Sequence, residues 1–198
     1  MTFVDLLRHG EAEGGARYRG SSDDSLTAEG WAQMWAALPE DDYWDRIVSS
    51  PLERCAGFAR ELSRCRSLPM ELNQDLREMH FGAWEGRTAA DLAAIDAEAL
   101  TRFWRDPFKY TPPGAETLSQ LQSRTLGTLK ALMTQYRRQR LLLITHGGPI
   151  RILLCQALGK PIEKSLKIEV PPASLHRLCG HVNADGTLQV RSRDPVRP

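Results

Sequence analysis

A strand, a turn and a helix follow one another late in the chain, and this pattern most constrains the fold. The apolar run at residues 141–145 is typical of a buried strand. His146 ends the run, and Gly147-Gly148-Pro149 opens a stretch with helical spacing. The apolar face of that predicted helix comprises Ile150, Leu153, Leu154 and Ala157. A buried strand that leads directly into a helix favours a mainly parallel sheet covered by helices.

Two earlier segments repeat the pattern. Residues 2–7 form a short apolar run that stops at Arg8-His9-Gly10, as a buried strand ending in a loop does. Arg46–Ser49 predicts a second strand, and Ser50-Pro51-Leu52-Glu53 follows it with the spacing of a capping box. Proline is favoured at the first position of a helix, so we predict that the next helix begins at Pro51.

The other segments complete an alternating order of strands and helices. Thr27 is predicted to cap a helix, residues 67–71 to form a weaker strand, and residues 88–105 and 116–136 to be helical. Residues 174–182 and 187–190 are typical of a closing hairpin. We therefore expect an α/β fold with a mainly parallel sheet, helices on both faces and one antiparallel edge strand.

Size and charge narrow the classes of function. A chain of 198 residues with 41% hydrophobic content predicts a single domain over residues 1–198. The net charge of +1 gives no long-range attraction to nucleic acid or to an anionic membrane. No signal pattern is seen, and no apolar stretch approaches the roughly 20 residues that span a bilayer. We expect a cytoplasmic protein that binds neither nucleic acid nor membranes, and the sequence leaves the oligomeric state open.

Metal and cofactor sites are not indicated. The four cysteines show no paired spacing typical of a zinc site or a disulfide framework. His80, His176 and His181 do not form a pair four residues apart on a helix. We expect no metal and no cofactor.

Three of the predicted strands end in residues suited to one anion. They end at Arg8-His9, at Ser49-Ser50 ahead of Arg54, and at His146-Gly147. Ligands of open α/β sheets bind beyond the carboxyl ends of the strands, so these residues are expected to converge. Two guanidinium groups and the amides of a helix start form a cradle for a phosphoryl group, and a neutral imidazole can attack its phosphorus. Nearby guanidinium charge is expected to lower the pKa of that imidazole.

Further blocks of sequence carry a family resemblance. Leu7-Arg8-His9-Gly10-Glu11 resembles the signature of the histidine phosphatase, or phosphoglycerate-mutase-like, superfamily. Other blocks that recur in the family's order are Tyr18-Arg19-Gly20, Leu26-Thr27-Ala28-Glu29-Gly30, Ser49 to Arg54, Leu76-Arg77-Glu78 and Thr145-His146-Gly147-Gly148. The resemblance implies a three-layer α/β/α fold and a phosphomonoesterase that acts through a phosphohistidine.

The same resemblance implies roles for individual residues. His9 would be the phosphorylated histidine, Arg8, Arg54 and His146 would hold the phosphoryl group, and Glu78 would be the general acid and base. Gly20, Ser21 and Gly147 would bind the substrate. From the residues alone, Glu11 and Glu85 remain alternative acids, and Arg54 could be an exposed arginine in the first turn of a helix.

The resemblance also suggests a substrate, a small phosphomonoester. Residues 78–87 and 112–116 resemble the α-ribazole phosphatases of cobalamin biosynthesis, although several sugar-phosphate phosphatases carry similar blocks. Gly15 replaces an asparagine that helps to bind phosphate in many relatives, and Ala12 replaces the usual threonine. A phosphoglycerate-type mutase and a non-catalytic phosphate-binding module are the alternative functions.

Overall fold

Six strands form one sheet in the computed structural model, which describes residues 1–41 and 43–194. The strands lie in the order β3-β2-β4-β1-β5-β6. Their bounds are β1 Thr2–Arg8, β2 Arg46–Ser49, β3 Met70–Leu72, β4 Arg140–Thr145, β5 Leu175–Val182 and β6 Leu188–Ser192. The α-helices are α1 Ala28–Ala36, α2 Glu53–Arg66, α3 Ala89–Arg105, α4 Leu118–Gln135 and α5 Gly147–Leu158.

The sheet is mainly parallel, as the sequence predicts. β1, β2, β3 and β4 pair in parallel, whereas β5 is antiparallel to β1 and β6 is antiparallel to β5. Of the six described strands only β5 runs opposite to the others, but β6 lies outside it, so the expectation that the antiparallel strand would be the edge strand was wrong. The reason is the tight connection between β5 and β6, which includes Gly186 at φ +82° and lets the whole hairpin join the sheet.

Alternate residues of β4 face opposite helical layers. Leu141 and Leu143 belong to an apolar cluster with α4 and α5, whereas Leu142 and Ile144 belong to a cluster with α1 and α2. Because side chains alternate along a strand, a strand that is apolar throughout is buried on both faces. The three-layer α/β/α arrangement follows directly.

The helix starts agree with the sequence except at α2. The side chain of Thr27 accepts a hydrogen bond from the amide of Gly30 and caps α1, as predicted. The predicted capping box at Ser50 was wrong, because α2 begins at Glu53 after Leu52, which makes no side-chain cap. The hydroxyl of Ser50 accepts from the amide of Leu52 at 3.3 Å and lies 2.7 Å from Nε2 of His146.

Loops and α3 cover the carboxyl end of the parallel strands. The long segment before α3 contains two short 3-10 helices, Gln74–Leu76 and Gly82–Trp84. Trp84 and Phe103 pack with Leu118, Leu121 and α5 in a third apolar cluster. This cluster forms one wall of the candidate site. In residues 1–41 and 43–194, no helix has the length and apolar character needed to cross a membrane.

Candidate active site

The ends of β1 and β4 bring two histidines together. In the parallel pair, Arg8 is aligned with Thr145, and the amide of His9 donates to the Thr145 carbonyl at 3.1 Å. His9 and His146 are the next residues of the two strands, and their ring centroids lie 5.1 Å apart. The register of the sheet therefore creates this pair of imidazoles.

The ring of His9 is held in one tautomer. Its Nδ1 lies 2.8 Å from the carbonyl oxygen of Gly10, which can only accept, so Nδ1 carries the proton. The lone pair is then on Nε2. Burial, together with the charges of Arg54 and Arg8, lowers the pKa of His9 to about 3. The predicted direction is confirmed, but burial and not guanidinium charge is the largest cause.

Arg8 presents hydrogen-bond donors that the protein does not use. Its Nη1 donates to the carbonyl of Val170 at 2.6 Å, whereas its buried Nε has no acceptor among the described residues. Buried donors are normally paired, so this N–H is available to an acceptor atom of a ligand. A phosphoryl oxygen is a suitable acceptor.

Arg54 is fully buried, which rules out the alternative of an exposed arginine. Its Nε donates to Nδ1 of His146 at 3.2 Å, and its two Nη atoms donate to the carbonyls of Ser22, Arg19 and Gly20. A guanidinium has five N–H groups, so one remains for a ligand. Arg54 thus fixes the loop at residues 19–22 and the tautomer of His146.

His146 is fully buried and is linked to Ser50. Since Nδ1 accepts from Arg54, the ring proton is on Nε2, which donates to the Ser50 hydroxyl at 2.7 Å. Burial is the main cause that lowers the pKa of His146, followed by the charge of Arg54. Ser50 directly follows β2 and was expected at this edge of the sheet, whereas its bond to His146 was not predicted.

Glu78 reaches the site from the loop before α3. Its carboxylate accepts from the amide of Gly148 at 3.0 Å and from the amide of Met79 at 2.8 Å. The amide of Gly148 opens α5, so this helix start holds a carboxylate where the sequence predicted a phosphate contact. Gly147, the other predicted amide of the turn, lies beside Arg8.

The alternative acids, Glu85 and Glu11, do not share the contacts of Glu78. The carboxylate of Glu85 accepts from the amide and the hydroxyl of Ser21 at 2.9 and 2.6 Å. Burial raises the pKa of Glu85, but its hydrogen bonds with Ser21 and Phe81 outweigh this and hold the pKa below its usual value. Glu85 therefore fixes the loop at Ser21 and Gly20 as an anion, and Glu11 is exposed.

A cavity of about 90 Å³ extends from Glu78 and Gly148. Its walls are mainly apolar and aromatic, with Phe103 and Trp104 on one side. Among the described residues, no cluster of three or more His, Cys, Asp or Glu side chains could hold a metal ion.

The fold is α/β, and its site has histidines directly after two parallel strands. Residues 4–191 match the profile of the histidine phosphatase superfamily (branch 1). The chain belongs to this family.

Of three relatives, two are named as phosphatases, and the substrates in their names differ. The chain is 34% identical to a bifunctional protein of Mycobacterium tuberculosis over 96% of this chain and 53% of that protein, so it spans about half the length of this relative. It is 32% identical to the glucosyl-3-phosphoglycerate phosphatase of Mycolicibacterium vanbaalenii, over 91% of this chain and 85% of the relative. It is 31% identical to the adenosylcobalamin/α-ribazole phosphatase of Escherichia coli, over 80% of each chain.

Solved structures show the same phosphoglycerate-mutase-like fold. YhfR of Bacillus stearothermophilus superposes with a TM-score of 0.86 at 25% identity, over 100% of this chain and 98% of its own. The mycobacterial glucosyl-3-phosphoglycerate phosphatase superposes with a TM-score of 0.85 at 27% identity, over 96% of each chain.

Proposed function

We propose that this protein hydrolyses a small phosphomonoester through a phosphohistidine at His9. The observation that carries the proposal is the state of the His9 ring: Nδ1–H is bonded to Gly10, the lone pair is on Nε2, and the ring is kept neutral by burial and by the charges of Arg54 and Arg8. A lone pair held next to an anion cradle is what phosphoryl transfer to nitrogen requires.

In the first step, Nε2 of His9 attacks phosphorus and the bond from phosphorus to the ester oxygen breaks. Glu78, in its protonated form, gives its proton to that oxygen, so the alcohol leaves neutral. The N–H donors of Arg8 and the remaining one of Arg54 stabilise the charge on the phosphoryl oxygens.

In the second step, the Glu78 carboxylate takes a proton from water as the water oxygen attacks phosphorus. The bond between Nε2 and phosphorus breaks, phosphate leaves, and His9 returns to its neutral tautomer. The bond from Nδ1 to Gly10 keeps the ring orientation through both steps.

Two substrate classes have support. α-Ribazole 5′-phosphate, of cobalamin biosynthesis, is supported by the named Escherichia coli relative and by the aromatic wall of the cavity at Glu78. A sugar phosphate is supported equally by the relatives named glucosyl-3-phosphoglycerate phosphatase. Neither a mutase nor a non-catalytic module is among the relatives named above.

Detection of the intermediate tests the proposal. A short incubation with radiolabelled phosphomonoester, followed by an alkaline quench, should give labelled protein whose phosphate is lost in acid and maps to His9. A screen of α-ribazole, sugar, glycerate and nucleotide phosphates should release phosphate from at least one class. Phosphate release without any label on His9 would overturn the mechanism.

A further inference from the structure

Arg124, on α4, binds the backbone of the loop that carries Glu78. Its guanidinium donates to three carbonyls of that loop at 2.6, 2.8 and 3.0 Å, those of Asp75, Arg77 and Glu78. Its two other N–H groups donate to the carboxylate of Glu116 at 2.7 and 2.9 Å. All five N–H groups of the guanidinium are therefore used by the protein, and none is left for a substrate.

Glu116 holds the same loop on the other side of Glu78. Its amide donates to the carbonyl of His80 at 2.9 Å, and its carboxylate accepts from the amide of His80 at 3.3 Å. The next residue, Thr117, caps α4, which fixes Glu116 relative to Arg124 on the same helix. The two charged side chains are only 15% and 18% exposed, so solvent screens their attraction less than it screens a surface pair.

Thr145 ties the loop to the strand that leads to His146. It is the last residue of β4 and fully buried, and its hydroxyl donates to the carbonyl of Leu76 at 2.6 Å. With the three bonds from Arg124, every carbonyl of residues 75–78 accepts a hydrogen bond from one of these two side chains. A shift of the loop would leave a buried polar group without a partner, which is unfavourable.

The carboxylate of Glu78 depends on this backbone for its position. It accepts from the amides of Met79 and Gly148. Met79 belongs to the same loop, so in residues 1–41 and 43–194 Gly148 is the one hydrogen-bond partner that does not move with it. In the proposed mechanism, Glu78 has to lie within hydrogen-bond distance of the ester oxygen and later of water, which a displaced backbone prevents.

We propose that Arg124 and Thr145 are positioning residues that hold Glu78 where it transfers the proton to the leaving group. Both act through the backbone of residues 75–78 and neither contacts the substrate, since their donors are already engaged. The sequence patterns indicate this role for neither side chain. The inference rests on the proposed function and deepens it, because it names what fixes the proposed acid.

Leaving-group dependence tests the role of Thr145. Thr145→Val keeps the shape of the side chain but removes the donor. Single-turnover phosphorylation of the enzyme should become about 10- to 100-fold slower with the best alkyl phosphate of the substrate screen, and change less than about threefold with p-nitrophenyl phosphate. Thr145→Ser restores the hydroxyl and should recover most of the rate. Thr125→Val, at a buried threonine on α4 whose hydroxyl has no partner among the described residues, should change neither rate.

Variants of Arg124 should show the same selectivity for the leaving group. Arg124→Met removes all five donors and should slow the alkyl phosphate by about 10²-fold, whereas Arg124→Lys keeps three donors on one nitrogen and should cause a smaller loss. Arg64→Met, at an exposed arginine paired with Glu61, is the control and should change neither rate. If Arg124→Met does not fold, the comparison of Thr145→Val with Thr145→Ser decides the question.

A double variant shows whether the effect passes through Glu78. If Thr145 acts by placing this carboxylate, adding Thr145→Val to Glu78→Gln should slow the alkyl phosphate no further, because the acid is already absent. A second loss, about as large as that in the single variant, would overturn the inference.

The outcomes separate this inference from the proposed function. Equal slowing of both substrates, or unchanged rates in Thr145→Val and in folded Arg124→Met, would overturn the positioning role. In either case a label on His9 of the wild type would still support the phosphatase mechanism. Absence of that label in the wild type with every substrate would instead refute the proposed function.

Discussion

The carboxylate of Glu78 accepts a hydrogen bond from the amide of Gly148, 70 residues further along the chain, at 3.0 Å. This bond joins the loop before α3 to the start of α5, one residue beyond Gly147 and two beyond His146. A Cβ on Gly148 would lie 2.2 Å from Oε1 of Glu78, so only glycine permits the contact. The proposed acid is thereby held at a fixed position relative to the histidine pair.

Gly148→Ala should therefore displace Glu78 and lower kcat for alkyl phosphates by about 10²-fold or more. Steady-state kinetics on a sugar phosphate measure this loss. Gly127→Ala on α4 is the matched control, because a Cβ there meets no atom within 4 Å. That variant should keep full activity and gain about 0.5–1 kcal/mol of stability from helix propensity. Full activity in Gly148→Ala would show that the position of Glu78 is not needed.

Glu78→Gln should slow poor leaving groups more than good ones. An alkoxide needs a proton in order to leave, whereas a nitrophenolate does not, and a positioned acid contributes about 10²–10⁴-fold. Single-turnover phosphorylation of the enzyme by ribose 5-phosphate and by p-nitrophenyl phosphate measures the difference. Glu11→Gln, at an exposed acid, is the control and should slow neither reaction. Equal slowing of both substrates in Glu78→Gln would assign the proton transfer to another group.

His9→Ala should abolish the acid-labile phosphoenzyme and lower turnover by more than about 10³-fold, because the nucleophile is lost. Phosphate release and labelling of the protein check both effects. His181→Ala, at an exposed histidine on β5, should behave as the wild type. A labelled His9→Ala protein would identify a different nucleophile.

The lowered pKa of His9 should also make folding sensitive to acid. The folded ring stays neutral down to a pKa of about 3, while the unfolded ring gains a proton near pH 6.5. The contribution of His9 to the free energy of unfolding is therefore fully present above pH 6.5 and decreases as the pH falls below 6.5. At pH 5 the cost from His9 is about 2 kcal/mol, so His9→Ala should lose about that much less stability than the wild type between pH 7.5 and 5. Urea unfolding at the two pH values measures this, and identical losses would show that the ring is not held neutral.

Activity should persist in EDTA. In the proposed mechanism Arg8 and Arg54 supply the positive charge at the phosphoryl group that metal ions supply in other phosphoryl-transfer enzymes. Phosphate release should stay within about twofold after prolonged dialysis against the chelator. Loss of activity that Mg²⁺ or Zn²⁺ restores would contradict this expectation.

The sequence alone determined the order of strands and helices and the family. The apolar runs that end at His9 and His146 are local patterns, and a parallel sheet gathers such strand ends at one edge whatever the rest of the chain does. Their proximity, and that of Arg54, is therefore predictable from local sequence patterns. The chemical roles of these residues, and of Glu78, stay predictions.

Tertiary structure alone decided which donor pairs with which acceptor in the site. Ser50 has the spacing of a helix cap, yet the β2–β4 pairing sets its hydroxyl against His146. The amide of Gly148, which was expected to bind phosphate, holds the carboxylate of Glu78. Such hydrogen bonds join residues tens of positions apart, so they depend on the packing of whole elements, which local sequence patterns do not encode.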